Sequence, residues 1–486
     1  MSGSLWLGKE GQDTLPYIPR QRPKAAPADD PMDELATRLE ELIAAAVHPD
    51  EVAAILESDG MTDAHIRTTY GRHDSFALAE ELYARVERRY PSATDAAADP
   101  WHTSLAACLL RGLVFALPGL AYVLGAPLLA GPPDSRGLPS GTVPLLAAAI
   151  TGWVWNQGLS HRTYVWLGLG DRPAAARALR TGAPLGALLS ALAALAAAGP
   201  GELGTAWFAA GQALYLGAAT VLLTLGRERD LLYALLPMAA GAALTLPYDL
   251  SEAARTGLLL LSLGAAAVFA GRAVAAAGPG GGGAAARSRS GPPLTASLPS
   301  ALFGLGTGLL VLYAAVGDVL ADGAGSAVAA PSAVALTLSM GPAEWLLYRF
   351  RSESAAGLRA STTAHGFRRT IVSAIAVCLA GYLVVLCGLT VTGTLLWPGA
   401  PHLGAGRLTG LLLTGTVLWT ALLLQSFGAV RSAAAVCCAA AGVQVVCLAT
   451  GTGHPRVVGP LVAGAAAVVL AALVAALLGR ATAHRV

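Results

Sequence analysis

Two charged side chains, Arg111 and Glu344, fall inside long apolar runs of this 486-residue chain. A charge in hydrocarbon costs about 2.5–3.5 kcal/mol or more unless it is paired or hydrated, so such residues are candidates for function. Arg111 opens the first run, nine residues after His102, where its long side chain can also snorkel to the membrane interface. Glu344 lies thirteen residues into the eighth run and six before Phe350, too deep for a short side chain to reach water. Opposite charges at one depth on different helices can close a gate as an ion pair. Alternatively, the planar guanidinium can take a substrate phosphate bidentately. Five amides, Asn156, Gln157, Gln212, Gln425 and Gln444, also fall in apolar runs, where an interhelical hydrogen bond is worth about 0.5–2 kcal/mol. Asn156 and Gln157 occupy in the second run the place of Glu344 in the eighth. With Trp153, Trp155, Trp345 and Tyr348 they are the expected lining of a substrate cavity or gate.

Other chemistry is not indicated. The six cysteines all lie in apolar runs, where they pack as small hydrophobes, and the nine histidines show no metal-ligand spacing. The glycine run from Gly278 to Gly283 lacks the Gly-Lys-Ser/Thr ending of a phosphate loop, and no nucleophile motif or acidic pair has the local context of an active site. The expectation is a protein that is not an enzyme, with no catalytic residues, no metal and no cofactor.

The elements that must position these residues are membrane helices. Hydrophobic residues make up 55% of the chain and charged ones only 13%, with a mean hydropathy of +0.58, more apolar than a soluble domain can cover. A run of about 20 apolar residues spans the hydrocarbon only as a helix, because no water is present to satisfy its backbone. Twelve spans are expected: Gly112–Ala130, Thr142–Ser160, Ala183–Ala198, Leu203–Leu225, Leu231–Leu246, Gly257–Ala277, Ala301–Leu320, Pro331–Phe350, Arg369–Leu396, Leu408–Phe427, Ser432–Leu448 and Val457–Leu478. With the N-terminus inside, seventeen connector arginines, Arg351 among them, fall on the cytosolic side and four, Arg136, Arg255, Arg407 and Arg456, fall outside. That asymmetry follows the positive-inside rule, which places both termini in the cytosol and the chain in the cytoplasmic (inner) membrane. Asp318 and Asp322, near the outer end of the seventh span, read as solvated.

A Gly/Ser/Pro-rich stretch, Gly278 to Ser300, divides the spans into two sets of six, as a flexible linker would. In both sets the second helix carries aromatics near its inner end and then a basic connector. This is the plan of transporters whose halves rock about a central cavity. The expected fold class is therefore all-α, with domains at 93–290 and 291–486.

Before the membrane part, residues 1–31 read as a Pro-rich polar tail without the apolar core of a signal peptide. Residues 32–92 read as a small cytosolic unit of four short helices, with Pro49 opening one, Gly60 and Gly71 ending two, and Thr62 and Asp74 as caps. The middle helices outline a helix-turn-helix. Nevertheless, thirteen acids against six arginines between Asp33 and Tyr90 argue against nucleic acid, which needs a basic face, and favour docking of a cytosolic protein partner.

The stretch GLGDRPAAARALR from Gly168 to Arg180, leaving the second span and entering the third, resembles the G-x-G-D-x-x-x-A-x-x-x-L pattern of the multidrug/oligosaccharidyl-lipid/polysaccharide exporters. LYRFR from Leu347 to Arg351 resembles the corresponding exit of the eighth helix, without the G-x-G-D element. The resemblance implies a transporter or flippase exporting an amphipathic or lipid-linked saccharide by alternating access. The alternatives are a small-molecule exporter of the same or the major facilitator fold, and a membrane scaffold or sensor acting through its cytosolic domain.

Overall fold

The computed structural model describes residues 30–87, 104–129, 131, 138, 141–199, 201–278, 292–322, 330–361, 363–396 and 404–478. All regular structure among them is helical. The chain divides into two compact units, one holding residues 30–87 and the other the helices from 104 onward.

The smaller unit has five helices: α1 (Pro31–Arg38), α2 (Glu40–Ala45), α3 (Pro49–Ser58), α4 (Asp63–Tyr70) and α5 (Ser75–Arg85). Four were expected; the first is broken at Leu39 into α1 and α2. The punctuation is local chemistry. Pro49 opens α3, Thr62 Oγ1 accepts the His65 amide at 3.4 Å, Gly71 ends α4 at φ +68°, and Asp74 Oδ1 accepts the Ala77 amide at 2.8 Å. Leu35, Ile43, Val52, Leu56, Ile66, Leu78 and Leu82 close a core of their own. The Arg72 guanidinium bonded to Glu81 holds that carboxyl below the usual range, and the backbone amide of Ala77 does the same for Asp74.

The larger unit is a helical, polytopic membrane protein. Nine of its helical rods among the described residues are long and apolar enough to span a bilayer. They are α6–α7 (Leu105–Ala116 and Ala121–Leu124, joined by a 3-10 turn), α10 (Arg172–Ala197), α11 (Leu203–Thr224), α13 (Glu252–Ala277), α14 (Leu298–Asp322), α17 (Ala364–Leu396), α18 (Ala405–Ser426), α19 (Val430–Thr450) and α20 (Pro455–Leu478). Three further helical rods coincide with expected spans but stay outside that set for visible reasons. In α9 (Thr142–Gly168) the run is diluted by Asn156, Gln157, His161 and Arg162; α12 (Glu228–Leu244) has only 17 residues; and the eighth rod is interrupted at Ser339 between α15 (Ala330–Leu338) and α16 (Met340–Ala360). A short helix α8 (Ala126–Leu129) follows α7. The first rod starts at Leu105, seven residues before the expected Gly112, because Ser104 caps it, its Oγ accepting the Ala107 amide at 3.2 Å. Arg111 is consequently inside the helix, almost two turns from its start.

Proline explains both irregular rods. Pro118 lacks the amide that would reach Val114, and the first rod tightens into a 3-10 turn over Leu117–Leu120. Pro342 likewise leaves the Leu338 carbonyl without an i+4 donor, beside the break at Ser339.

Two hydrophobic cores fill the bundle, one drawn from residues between Val114 and Val274 and the other from residues between Phe303 and Leu478. Packing recurs between them: α10 on α11, α11 on α13 and α12 on α13 in the first segment, and α17 on α18, α18 on α20 and α19 on α20 in the second. The segments meet where α6 packs on α15 and α16, and where α9 packs on α14.

Candidate functional site: a charged triad in the seam

The α6–α16 crossing is a contact of two glycines. A Cβ on Gly112 would lie 3.0 Å from Gly341 Cα, and one on Gly341 would lie 2.6 Å from the Cys108 carbonyl oxygen, so the backbones touch. This approach brings Arg111, next to Gly112, against Glu344, three residues after Gly341. The Arg111 Nη1 donates to Glu344 Oε1. A third member comes from α12: Glu228 Oε1 accepts from Arg111 Nε at 2.8 Å and from Nη2 at 2.8 Å. One guanidinium thus bridges two carboxylates, one from each segment. The three side chains are 13–24% exposed, so the triad is largely withdrawn from the surface.

Sequence alone pairs Arg111 with Glu344, whereas Glu228 falls in a connector, between Arg227 and Arg229. Local sequence offers little signal for it. Glu228 is the first residue of α12, where the partial positive charge of the helix N-terminus favours a carboxylate whatever else it binds. Apolar neighbours close the site. Cys108 and Tyr348 are fully or nearly buried and pack together, with Trp345 against them. The Arg349 guanidinium lies 5.7 Å from the Trp345 ring centroid, and Tyr164 is within electrostatic reach of the triad.

The other expected site residues divide between the two segment contacts and the interior of the first segment. Gln157 and Trp153 lie against the Gly304 and Gly308 stripe of α14, the second place where the segments touch. Asn156, beside them in sequence, has a buried Oδ1 with no hydrogen-bond partner among the described residues. Trp155 faces α10 instead: its ring fits the space over Gly186, and Nε1 donates to the Gly182 carbonyl at 2.7 Å. Gln212 accepts the Tyr122 hydroxyl at 3.1 Å, tying α7 to α11.

Two connector readings are corrected. Arg351 is not a loop arginine: its Nη2 donates to the Ser426 carbonyl at the end of α18, and its guanidinium lies 4.8 Å from the Phe427 ring centroid. Such a cation satisfies orphan carbonyls at a helix C-terminus. Asp318 is not solvated: it pairs with Arg407 and, at 3.3 Å, with Arg456, while Asp322 meets His454 at 2.9 Å. Asp318, Arg407 and Arg456 rim a cavity of about 60 Å³ that Gln444 and Tyr313 also line.

The connector from Gly168 to Arg172 is built as a helix-to-helix turn. Gly170 adopts φ +74°, and Asp171 Oδ1 accepts the Ala174 amide at 2.8 Å, so the residues that carry the family resemblance also have a capping role. Among models of known families, curated proteins and solved structures, none matches this chain.

Proposed function

We propose that the chain is a transporter of the cytoplasmic membrane that moves an amphipathic or lipid-linked saccharide across the bilayer by alternating access between two six-helix halves. The observation that carries this reading is the Arg111 bridge. An apolar seam of the same volume holds two bundles together at least as well as an ion pair, so a charge set across the seam serves a structure that must come apart there. The twin cores and the recurring packing order support the division into halves. The connectors agree as well: α11–α12 and α18–α19, at equivalent places, both turn on a left-handed glycine, Gly226 at φ +69° and Gly428 at φ +81°. In this topology the triad lies at the cytosolic end, and the Arg111 Nη1 that Glu344 occupies in the closed seam is the group that parting would turn toward the opening, while Nε and Nη2 stay on Glu228.

The test is transport in reconstituted vesicles. A fluorescent polyprenyl-phosphate-linked saccharide should cross the bilayer with the intact protein. Arg111→Ala and Glu344→Ala should each slow it by about a hundredfold, the equivalent of about 3 kcal/mol for a stranded charge, with insertion unchanged. Full rates in both variants would overturn the reading. A scaffold or sensor is the second reading, favoured by the separately folded unit of residues 30–87; it requires that transport be absent altogether.

A further inference from the structure

At the end of the second segment that faces outward in the proposed topology lies a polar cavity that no member of the triad lines. Its walls come from α14, α15, α18, α19 and α20, so it is complete without the first segment. Ser332, on its α15 wall, is twelve residues before Glu344 along the same rod, about 18 Å at the rise of a helix. The volume of about 60 Å³ has room for about four waters, or for the edge of one small ring.

Hydrogen bonding in this wall is unmet. Gln444 is 2% exposed, and its Oε1 is buried with no hydrogen-bond partner among the described residues. An acceptor left in that state bears its full desolvation cost. Asp318 receives Arg407 and, at 3.3 Å, Arg456 on the same oxygen, Oδ2, while Oδ1 accepts no hydrogen bond among the described residues. The wall calls for donors, and charge restricts which. Two guanidiniums, Arg407 and Arg456, stand beside two carboxylates, Asp318 and Asp322, the latter 3.7 Å from Arg456 Nη2. His454 adds no charge, since its Nδ1 accepts the Arg456 amide at 3.2 Å while Nε2 faces Asp322. A cation at the free oxygens therefore meets two guanidiniums, and an anion at the guanidiniums meets two carboxylates. A hydroxyl suits both, donating to an oxygen and accepting from a guanidinium N–H. Water does the same, but the remaining wall is carbon, including the rings of Tyr313, Pro455 and Pro460. Ring carbon beside a few fixed polar groups suits a ligand whose edge carries hydroxyls and whose face carries C–H groups. Arg456, 55% exposed, sets the mouth at the surface.

We propose that this cavity binds a neutral saccharide, one ring placing adjacent hydroxyls on Asp318 Oδ1 and the Gln444 amide and its C–H face on Tyr313. The inference rests on the proposed function, to which it adds an outward-facing subsite, held by one half alone, for the sugar end of the substrate. The balance of charge also sets a selectivity. A uronate or an amino sugar binds less well than its neutral counterpart.

The experiment is saturation-transfer NMR on the full chain in lipid nanodiscs, with empty nanodiscs as the blank. The probes are the methyl glycosides of glucose, galactose, mannose and N-acetylglucosamine, with those of glucuronate and glucosamine as charged counterparts. At least one neutral glycoside should bind, and the charged ones about tenfold more weakly. Gln444→Leu, which removes the acceptor at nearly equal volume, should weaken the neutral ligand about tenfold while its thermal midpoint stays equal or rises. Tyr313→Leu removes the ring face alone and should weaken the ligand as well, an independent reading where Gln444→Leu does not fold. No transfer to any neutral glycoside would overturn the proposal and leave ordered water as the content of the cavity, whatever the vesicle assay shows. Equal binding of neutral and charged probes would do the same, as would unchanged binding in either folded variant. The expected binding and losses, without transport of the polyprenyl-linked saccharide, would sustain the site and overturn the transporter reading.

Discussion

One arginine between two carboxylates leaves the triad with a net charge of −1, and that imbalance shapes what substitutions there should do. A simple exchange, Arg111→Glu with Glu344→Arg, places a carboxylate at position 111 against Glu228 and should restore little transport. Adding Glu228→Gln removes the repulsion and should restore a measurable fraction, which vesicle assays of the double and triple variants check. Stability should respond differently. Arg111→Ala leaves two uncompensated carboxylates and should cost about 3–5 kcal/mol, read as a lower midpoint in thermal unfolding. The triple change Arg111→Met, Glu228→Gln and Glu344→Leu should be as stable as the native protein or more so, yet inactive. In the smaller unit, Arg72 lowers the Glu81 carboxyl, and capping bonds lower Asp74 and Asp30. A carboxylate with a depressed folded value contributes stability above its unfolded value and loses it as pH falls through the folded one. Circular dichroism of residues 30–87 should therefore show stability constant near neutrality and declining below about pH 4.

At the scale of elements, the close approach of α6 and α16 decides whether the triad can form. Gly341→Ala would drive a methyl to within 2.6 Å of the Cys108 carbonyl oxygen, and backbone cannot yield as a flexible side chain does. The helices should separate, at a cost of about 1–3 kcal/mol, and the Arg111–Glu344 contact should lengthen. Gly388→Ala on α17 is the control: nothing lies within 4 Å of the added methyl, so the change should leave stability equal or raised. Thermal unfolding of the two variants side by side distinguishes packing at the crossing from a general effect of glycine replacement. The kinks at Pro118 and at Ser339–Pro342 lie on the same two rods that carry Arg111 and Glu344. Pro184 in α10, Pro237 in α12 and Pro460 in α20 also remove a donor, yet those helices run on unbroken.

For the whole molecule, the proposed twelve-span topology makes a prediction about sidedness. Reporter fusions after Gly131, Glu202, Ser251, Asp322 and Gly453 should read outside, since each follows an odd-numbered rod. Cytosolic signals at several of them would break the count. The unit at residues 30–87 has its own closed core, so it should fold when expressed alone and, with its surplus of carboxylates, bind no duplex DNA. Salt-sensitive duplex binding by the isolated unit would contradict that expectation.

Much of this architecture could be read along the chain because its causes are local. A rod follows from about 20 apolar residues in succession, and a rod end follows from a capping side chain or a left-handed glycine, as at Thr62, Asp74 and Gly71. The place of Glu344 well inside a run was legible for the same reason, whereas Arg111, expected to open its run, lies inside a helix that Ser104 caps. What the tertiary structure alone decided are the contacts between residues far apart in sequence. Glu228 joins Arg111 across 117 positions, and Glu344 joins it across 233. Trp155 turns to α10 while its near neighbours Trp153 and Gln157 meet α14. These outcomes depend on which face of a uniformly apolar helix meets which neighbour. Hydropathy cannot rank those faces, because lipid and protein interior are equally apolar, and the choice passes to small residues such as Gly112, Gly341 and Gly186 that allow the closest packing.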